Sequence, residues 1–378
     1  MNWVALKMLT GNTGKYIGII LGVTFASLLI AQQGSIFVGL MSFTISQIKD
    51  ISGADIWVMD RNVQFIDDVK PLSDNDLYRI RGVKGVDWAV RLYKGIVRGR
   101  LADGNFQQMI LIGLDDATLV GAPQDVTLGK LEDLRRPEAV FMDENGFKQL
   151  WPNEPFCLGK RFEMNDRQAT IVGIFKARRT FQTFPVVYTR YTQATSFAPS
   201  ERKVLSFVLA EPEAGVSAEE VCRRINAQTN LLALTREQFS SKTVVYFLKN
   251  TGIPVNFAIT VILGFVVGTA IAGQTFYLFT LENLKQFGAL KAMGASNLTL
   301  TRMVLLQAAV VGSVGYGLGV GGAALFGELT KSQSKLAFLM PWWILAGTGA
   351  AVVLIAMLAS LLSIRKLITL EPAIVFQG

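Results

Sequence analysis

The chain of 378 residues contains no histidine. That removes the commonest general base and the commonest metal ligand, and with them the usual form of a Ser-His-Asp triad. Cysteine is nearly absent. Cys157 and Cys222 stand far apart and outside any C-x-x-C pair, which argues against a zinc site and favours two unpaired thiols. Charged residues make up only 17% of the chain against 51% hydrophobic, where soluble domains carry roughly 25%. A phosphate-binding loop is missing as well. The nearest fragment, Gly11-Asn12-Thr13-Gly14-Lys15-Tyr16, has the wrong spacing, so the chain is not expected to hold ATP itself. The nucleophile elbow G-x-S-x-G is absent. An enzyme is therefore the least expected class, and no cofactor is expected in this chain.

What the sequence does contain is long apolar runs. Four are long enough for a bilayer, which needs about 20 apolar residues: 16–41, 253–281, 303–326 and 341–364. None includes a charged side chain, so the proton or sodium relay of a secondary carrier has nothing to run on. Gln32, Gln33, Asn256, Gln274 and Gln307 are the main polar interruptions. The first run is too long for a cleaved signal peptide and reads as a retained anchor. The net charge of +8 is expected of a membrane protein, which concentrates Lys and Arg at its cytoplasmic ends. No basic run is interleaved with aromatics, so nucleic acid is not an expected partner.

The flanks set an orientation. Lys7 and Lys15 precede the first run, Lys285, Lys291 and Arg302 follow the second, and Arg365 and Lys366 follow the fourth. With four spans these flanks share one side, the cytoplasmic one by the positive-inside rule. Glu328, Lys331 and Lys335 give the opposite loop a weaker bias, and Trp342 and Trp343 fit the outer interface. The expected fold is thus a membrane α-helical protein with one span, a large extracytoplasmic α/β domain over 42–252, then three spans. The tail 365–378 and the N-terminal 1–15 are expected to be cytoplasmic.

Within the outer segment, strands are predicted at 55–59, 86–97, 106–114 and 204–210. Helices are predicted at 73–80, with Ser73 as N-cap, and at 217–229, where Ser217 and Glu220 have capping-box spacing. This order suits a ferredoxin-like layer carrying an insertion over about 137–200, with strands at 138–142, 168–175 and 185–188. Ser42–Ser52 and Arg236–Asn250 read as helical stalks or ordinary juxtamembrane linkers. In the first span Gly14, Gly18 and Gly22 recur every fourth residue, as do Gly315 and Gly319, with Gly317 and Gly321, in the third. Such spacing lets helix backbones approach closely in lipid. The first ladder is a candidate dimer contact, the second a candidate for packing within the chain.

After the second span comes Glu282-Asn283-Leu284-Lys285-Gln286-Phe287-Gly288-Ala289-Leu290-Lys291-Ala292-Met293-Gly294-Ala295-Ser296. This segment resembles the coupling segment of the FtsX/MacB superfamily of ABC-transporter permeases (type VII). There an acidic residue is followed by Ile or Phe, Gly, any residue, Leu or Met, Lys or Arg, Ala, any residue, Gly, Ala or Met, and Ser or Thr. Gln286 departs from the family's acid. Asn2–Leu9 is similar to the family's cytoplasmic elbow helix. Gly159-Lys160-Arg161-Phe162, Ile171-Val172-Gly173-Ile174, Pro185-Val186-Val187-Tyr188 and Leu370-Glu371-Pro372-Ala373 resemble its other motifs, and the single four-span unit looks most like the DevC branch.

The resemblance implies a permease subunit, a homodimer in a bacterial cytoplasmic (inner) membrane, working with a separate ABC ATPase that binds ATP and Mg. A membrane-fusion protein and an outer-membrane channel are implied where the cell has two membranes. Residues 282–302 would form the coupling helix and loop, with Phe287, Leu290 and Met293 inserted into a groove of the ATPase and Gly288 permitting close approach. Lys285 and Lys291 would pair with acids of the partner or with lipid headgroups. Alternatives implied by other branches are an FtsX-like signal transducer and HrtB-like extraction of haem or lipid from the membrane.

Overall fold

The computed structural model describes residues 2–11, 13–100, 104–198, 205–333 and 336–369. The tail motif at 370–373, the turn residue Asp103, Lys335, Pro199, Ser200 and Val204 lie outside the described residues. The chain divides into two compact units, Met41–Thr251 and Met1–Leu40 with Gly252–Gly378.

In chain order, helix α1 (Asn2–Gly11) precedes the long α2 (Thr13–Thr44) and the short α3 (Ser46–Asp50). Strand β1 (Ile56–Asp60), α4 (Asp74–Arg81), β2 (Val86–Arg100), β3 (Phe106–Leu114) and β4 (Val126–Gly129) follow. Then come β5 (Ala139–Asp143), α5 (Glu144–Leu150), β6 (Arg161–Met164), β7 (Arg167–Phe175), β8 (Val186–Arg190) and α6 (Tyr191–Phe197). Strand β9 (Phe207–Pro212), α7 (Ala218–Gln228), β10 (Leu231–Thr235) and α8 (Arg236–Asn250) complete the first unit. The chain ends with α9 (Ile253–Glu282), α10 (Leu284–Ala292), α11 (Asn297–Gln333) and α12 (Trp342–Ile368).

The α/β unit is organised by β2. Its first half, to Leu92, pairs antiparallel with β9, and its second half, from Tyr93, pairs antiparallel with β3. On the β9 side the strand order is β10-β1-β9-β2, all antiparallel. Helices α4 and α7 join β1 to β2 and β9 to β10, the β-α-β-β-α-β plan of a ferredoxin-like layer. The expectation that β3 belongs to this layer is corrected, because its free edge bonds parallel to β8. The layer's fourth strand is β10, which is not among the strands predicted from the sequence. The inserted sheet therefore begins at β3, upstream of the expected 137–200, and runs β3-β8-β5-β7-β4.

Alternation along β1 sets two cores. Ile56 and Val58 pack under α4 and α7 with Leu77, Ile80, Val221 and Ile225. Trp57 and Met59 point to the other face, where Trp57 meets Phe207 edge-on at 5.5 Å and Phe239 of α8 at 5.5 Å. Ser73 makes the full capping box with Asp76. At α7 only half of the box forms. Ser217 Oγ accepts from the Glu220 N–H at 3.3 Å, but the Glu220 carboxylate turns to Arg223 and Arg224. Cys157 and Cys222 are free thiols, and burial pushes the Cys222 thiol up to about 12. Helix α8 opens on a Thr235–Gln238 capping box and stops at Asn250; Thr251 is extended and α9 starts after Gly252, so the Arg236–Asn250 stalk and the second span are two helices.

In the other unit, α2, α9, α11 and α12 are apolar and long enough to cross a membrane. Even α12, with 27 residues, is about 40 Å long at 1.5 Å per residue, beyond the roughly 30 Å hydrocarbon core. Inside the bundle sit small and polar residues: Gly264, Gly268, Ala272 and Gly273 of α9, Ser27 and Ser35 of α2, Thr348 and Ser360 of α12. Large residues of α9, such as Ile259, Ile262 and Val266, face outward.

Candidate coupling site

Helix α9 passes into α10 through Asn283 alone. Its backbone N–H and its side-chain Nδ2 both donate to the Phe279 carbonyl, at 3.2 and 2.8 Å, and its own carbonyl accepts from the Phe287 N–H at 3.0 Å. One residue thus caps two helices. Beside it, Glu282 forms an ion pair with Lys15 of α2.

Phe287 is fully buried within its own chain, against Ala5 of α1, Leu300, Met303 and Val304 of α11 and Leu367 of α12. Leu284, Leu290 and Ala295 pack on the same cluster, and Gly288 is buried. This corrects the expectation that Phe287 inserts into a partner. The amphipathic period of α10 is real, but its apolar face is consumed by the ends of three neighbouring helices. Lys291 is likewise turned inward, its Nζ donating to the Ile368 carbonyl at 3.4 Å, a cation at the negative end of α12. What remains exposed is Lys285, Gln286, Ala292, Met293, Gly294 and Ser296, with Met293 at 76%.

The Gly294-Ala295-Ser296 sequence is explained by the turn it makes. Gly294 has φ +96°, the left-handed conformation that favours glycine. Its N–H donates to Lys291 O and that of Ala295 to Leu290 O, both at 3.0 Å, which is a Schellman stop. Ser296 then caps α11, its Oγ accepting from the Thr299 N–H at 3.3 Å. These three residues fix the angle between α10 and α11.

Sequence reasoning missed the role of α1 as the neighbour of α10. Ala5 is buried and its carbonyl accepts from Gln307 Nε2 at 2.8 Å. The lone amide noted in the third span was the available signal. Trp3 of α1 is 70% exposed, with Lys7 Nζ 5.1 Å from its ring centre. Trp3, Lys7, Glu282 and Gln286 border a polar groove of about 590 Å³ between α1 and α10.

Each glycine ladder splits between positions that meet a helix of the same chain and positions that face open space. A Cβ on Gly22 would lie 2.7 Å from Ile271 Cγ2 of α9, and one on Gly18 would lie 3.8 Å from Thr275 Cγ2, so both face a helix of the same chain. Gly14 faces open space. Gly315 and Gly319 face Val23 and Ser27 of α2, while Gly317 and Gly321 meet nothing within 4 Å. Among the described residues no group of three or more His, Cys, Asp or Glu could hold a metal.

A family model described as the MacB-like periplasmic core domain matches residues 16–228, and one described as the FtsX-like permease C-terminal matches residues 254–372. Over 340 residues the chain is 23% identical to an uncharacterized ABC transporter permease of Mycobacterium tuberculosis, spanning 87% of this chain and 86% of that protein. Over 123 residues it is 28% identical to an uncharacterized ABC transporter permease of Mycobacterium bovis, covering 32% and 34% of the two chains. Among solved structures, the periplasmic region of MacB from Actinobacillus actinomycetemcomitans covers 54% of this chain and 96% of its own, with 14% identity and a TM-score of 0.37. The extracellular domain of the noncanonic ABC-type transporter YknZ from Gram-positive bacteria covers 48% and 98%, also at 14% identity and 0.37. The periplasmic-core match alone runs over more than half of the 378 residues, and the chain belongs to the MacB/FtsX-type ABC transporter permeases, non-catalytic multi-pass membrane subunits with an extracytoplasmic domain between the first and second spans.

Proposed function

We propose that this permease couples ATP hydrolysis by a separate ABC ATPase to movements of its extracytoplasmic domain, and that these movements drive export by mechanotransmission. Both termini and α10 lie on the cytoplasmic side in this reading, in keeping with the Lys and Arg of the flanks. The observation that carries the proposal is α10 itself. It is a nine-residue helix between two spans, embedded on one face in the ends of α1, α11 and α12 and open on the other. A partner that moves α10 must move those three ends with it.

The contact surface is the open face, Lys285, Gln286, Ala292 and Met293, while Phe287, Gly288 and Leu290 hold α10 to its own bundle and Gly294, Ala295 and Ser296 set its angle. The permease works as a homodimer. Gly18 and Gly22 are occupied within the chain, so the contact is assigned to the outward face of α9, where the amide of Gln274 is exposed among apolar residues. A polar group on that face is costly in hydrocarbon and favours a facing helix. In a cell with two membranes a membrane-fusion protein and an outer-membrane channel complete the route, the DevC-type arrangement.

The test is co-purification with the cognate ATPase. Met293→Asp combined with Lys285→Glu is expected to weaken ATPase association about tenfold or more, the effect of one interface hot spot, with the bundle's thermal stability unchanged. Undiminished association and transport-coupled hydrolysis in that variant would sink the proposal.

A further inference from the structure

Between α11 and α12 runs an apolar groove of about 340 Å³, within the range of sites that hold small ligands. Its walls are mostly small: Ala309, Gly312 and Ser313 on α11, Gly349, Val353 and Ala356 on α12. Leu305, Ala309 and Ser313 on one wall and Val353 and Met357 on the other are exposed, so the groove is open along its length, and its lining ends at Tyr316 and Gly349, where the Tyr316 ring lies 3.6 Å from a Cβ built on Gly349. From Leu305 to Tyr316 the groove is about 16 Å long at 1.5 Å rise per residue, close to one leaflet's share of the roughly 30 Å hydrocarbon core. Its two polar side chains are satisfied within the chain. Ser313 Oγ donates to the Ala309 carbonyl at 2.8 Å and Tyr316 Oη to the Leu345 carbonyl at 3.2 Å. The groove therefore offers no free hydroxyl donor to an occupant.

Beyond the Leu305 end the same face of α11 carries one charge. Residues 302, 305, 309, 313 and 316 fall on one helical stripe, and Arg302, one turn before Leu305, is exposed. We infer that this groove binds one anionic phospholipid of the leaflet at the Arg302 end, its acyl chain between α11 and α12 and its phosphate on the Arg302 guanidinium. A neighbouring protein helix fits less well, since it would need a channel along the whole span rather than one stopped at half its depth. The lipid fills the cleft between α11 and α12 and braces the pair to which α10 is attached. This inference does not depend on the coupling proposal.

Native mass spectrometry of the full detergent-purified chain tests it, with phosphatidylglycerol and phosphatidylcholine supplied in equal amounts. One phosphatidylglycerol per chain is expected to survive purification. Ala309→Phe and, from the opposite wall, Val353→Phe fill the groove from exposed positions and are expected to abolish retention. Arg302→Gln is expected to lower the preference for phosphatidylglycerol about fivefold, the effect of one basic side chain at an anionic membrane surface. Undiminished retention in both groove-filling variants overturns the site, and an unchanged lipid preference in Arg302→Gln overturns the headgroup assignment. Dissociation of dimers by the filling variants without loss of lipid would assign the groove to a second copy instead.

Discussion

The two units of this chain differ in where they place their small and their large apolar residues. In the α/β unit the interior is large and apolar, with Trp57, Phe141, Phe175 and Phe207 excluded from solvent. In the helical unit small and polar residues, among them Gly268, Gly319, Ser27 and Gln307, are buried beside Phe276, Phe279 and Phe287, while Ile262, Leu263 and Leu318 face outward. The same hydrophobic alphabet is sorted by its surroundings. Water drives apolar bulk inward, whereas lipid tails are as apolar as leucine, leaving close backbone approach and hydrogen bonds to hold helices together.

That contrast can be broken at its strongest point first. Trp57→Ala, in the middle of the aromatic core, is expected to cost the outer domain roughly 3–5 kcal/mol, read as an earlier unfolding transition in denaturant. A loss below 1 kcal/mol would mean that the two-faced sheet does not depend on large residues.

Next in size is the effect of pH. Burial raises the Asp143 carboxyl to about 6, although the Val186 N–H donates to it at 2.8 Å. The folded state thus holds a proton that the unfolded state releases near 4. Stability from this group is full below about pH 4, falls as pH rises through about 6, and is flat above. The span corresponds to about 3 kcal/mol at most. Asp143→Asn should flatten the decline, as thermal melts between pH 4 and 7 would reveal.

The helical unit is tested by a pair of glycines two residues apart. Gly319→Leu would place a Cβ 2.7 Å from the Thr24 carbonyl oxygen and 2.6 Å from Ser27 Cβ. It is expected to cost about 1–3 kcal/mol by overpacking, whereas Gly317→Leu, which meets nothing, should be silent in the monomer's melting temperature. Equal effects of the two would remove the distinction between inward and outward ladders. The smallest effect belongs to Ser73→Ala, which loses the α4 capping box at about 1 kcal/mol, measurable by the same melts.

The sequence was most informative where a single physical requirement dominates. Bilayer thickness makes the spans legible by length, and Phe106–Leu114 is flanked by clear turn residues. It was least informative for β4, β6 and β10, whose four or five residues become strands through a neighbour's edge rather than through their own pattern. Leu231–Thr235 alternates between buried and half-buried, but its Leu-Leu-Ala-Leu composition does not select a strand over a helix. At the candidate coupling site, the period of α10 identifies an apolar face and does not say whose surface it meets. The position of Phe287 depends on where α1, α11 and α12 end, which is tertiary information. The motif's Gly-Ala-Ser, by contrast, is local backbone geometry and could be read directly.

Strand β2 has a mechanical consequence. Its 15 residues run unbroken from one half-sheet into the other, so no loop intervenes where a hinge could form. The two half-sheets are thus joined through one continuous strand rather than through a linker. Separating the halves would require breaking the ladder of β2 with β3 or with β9, not bending a loop.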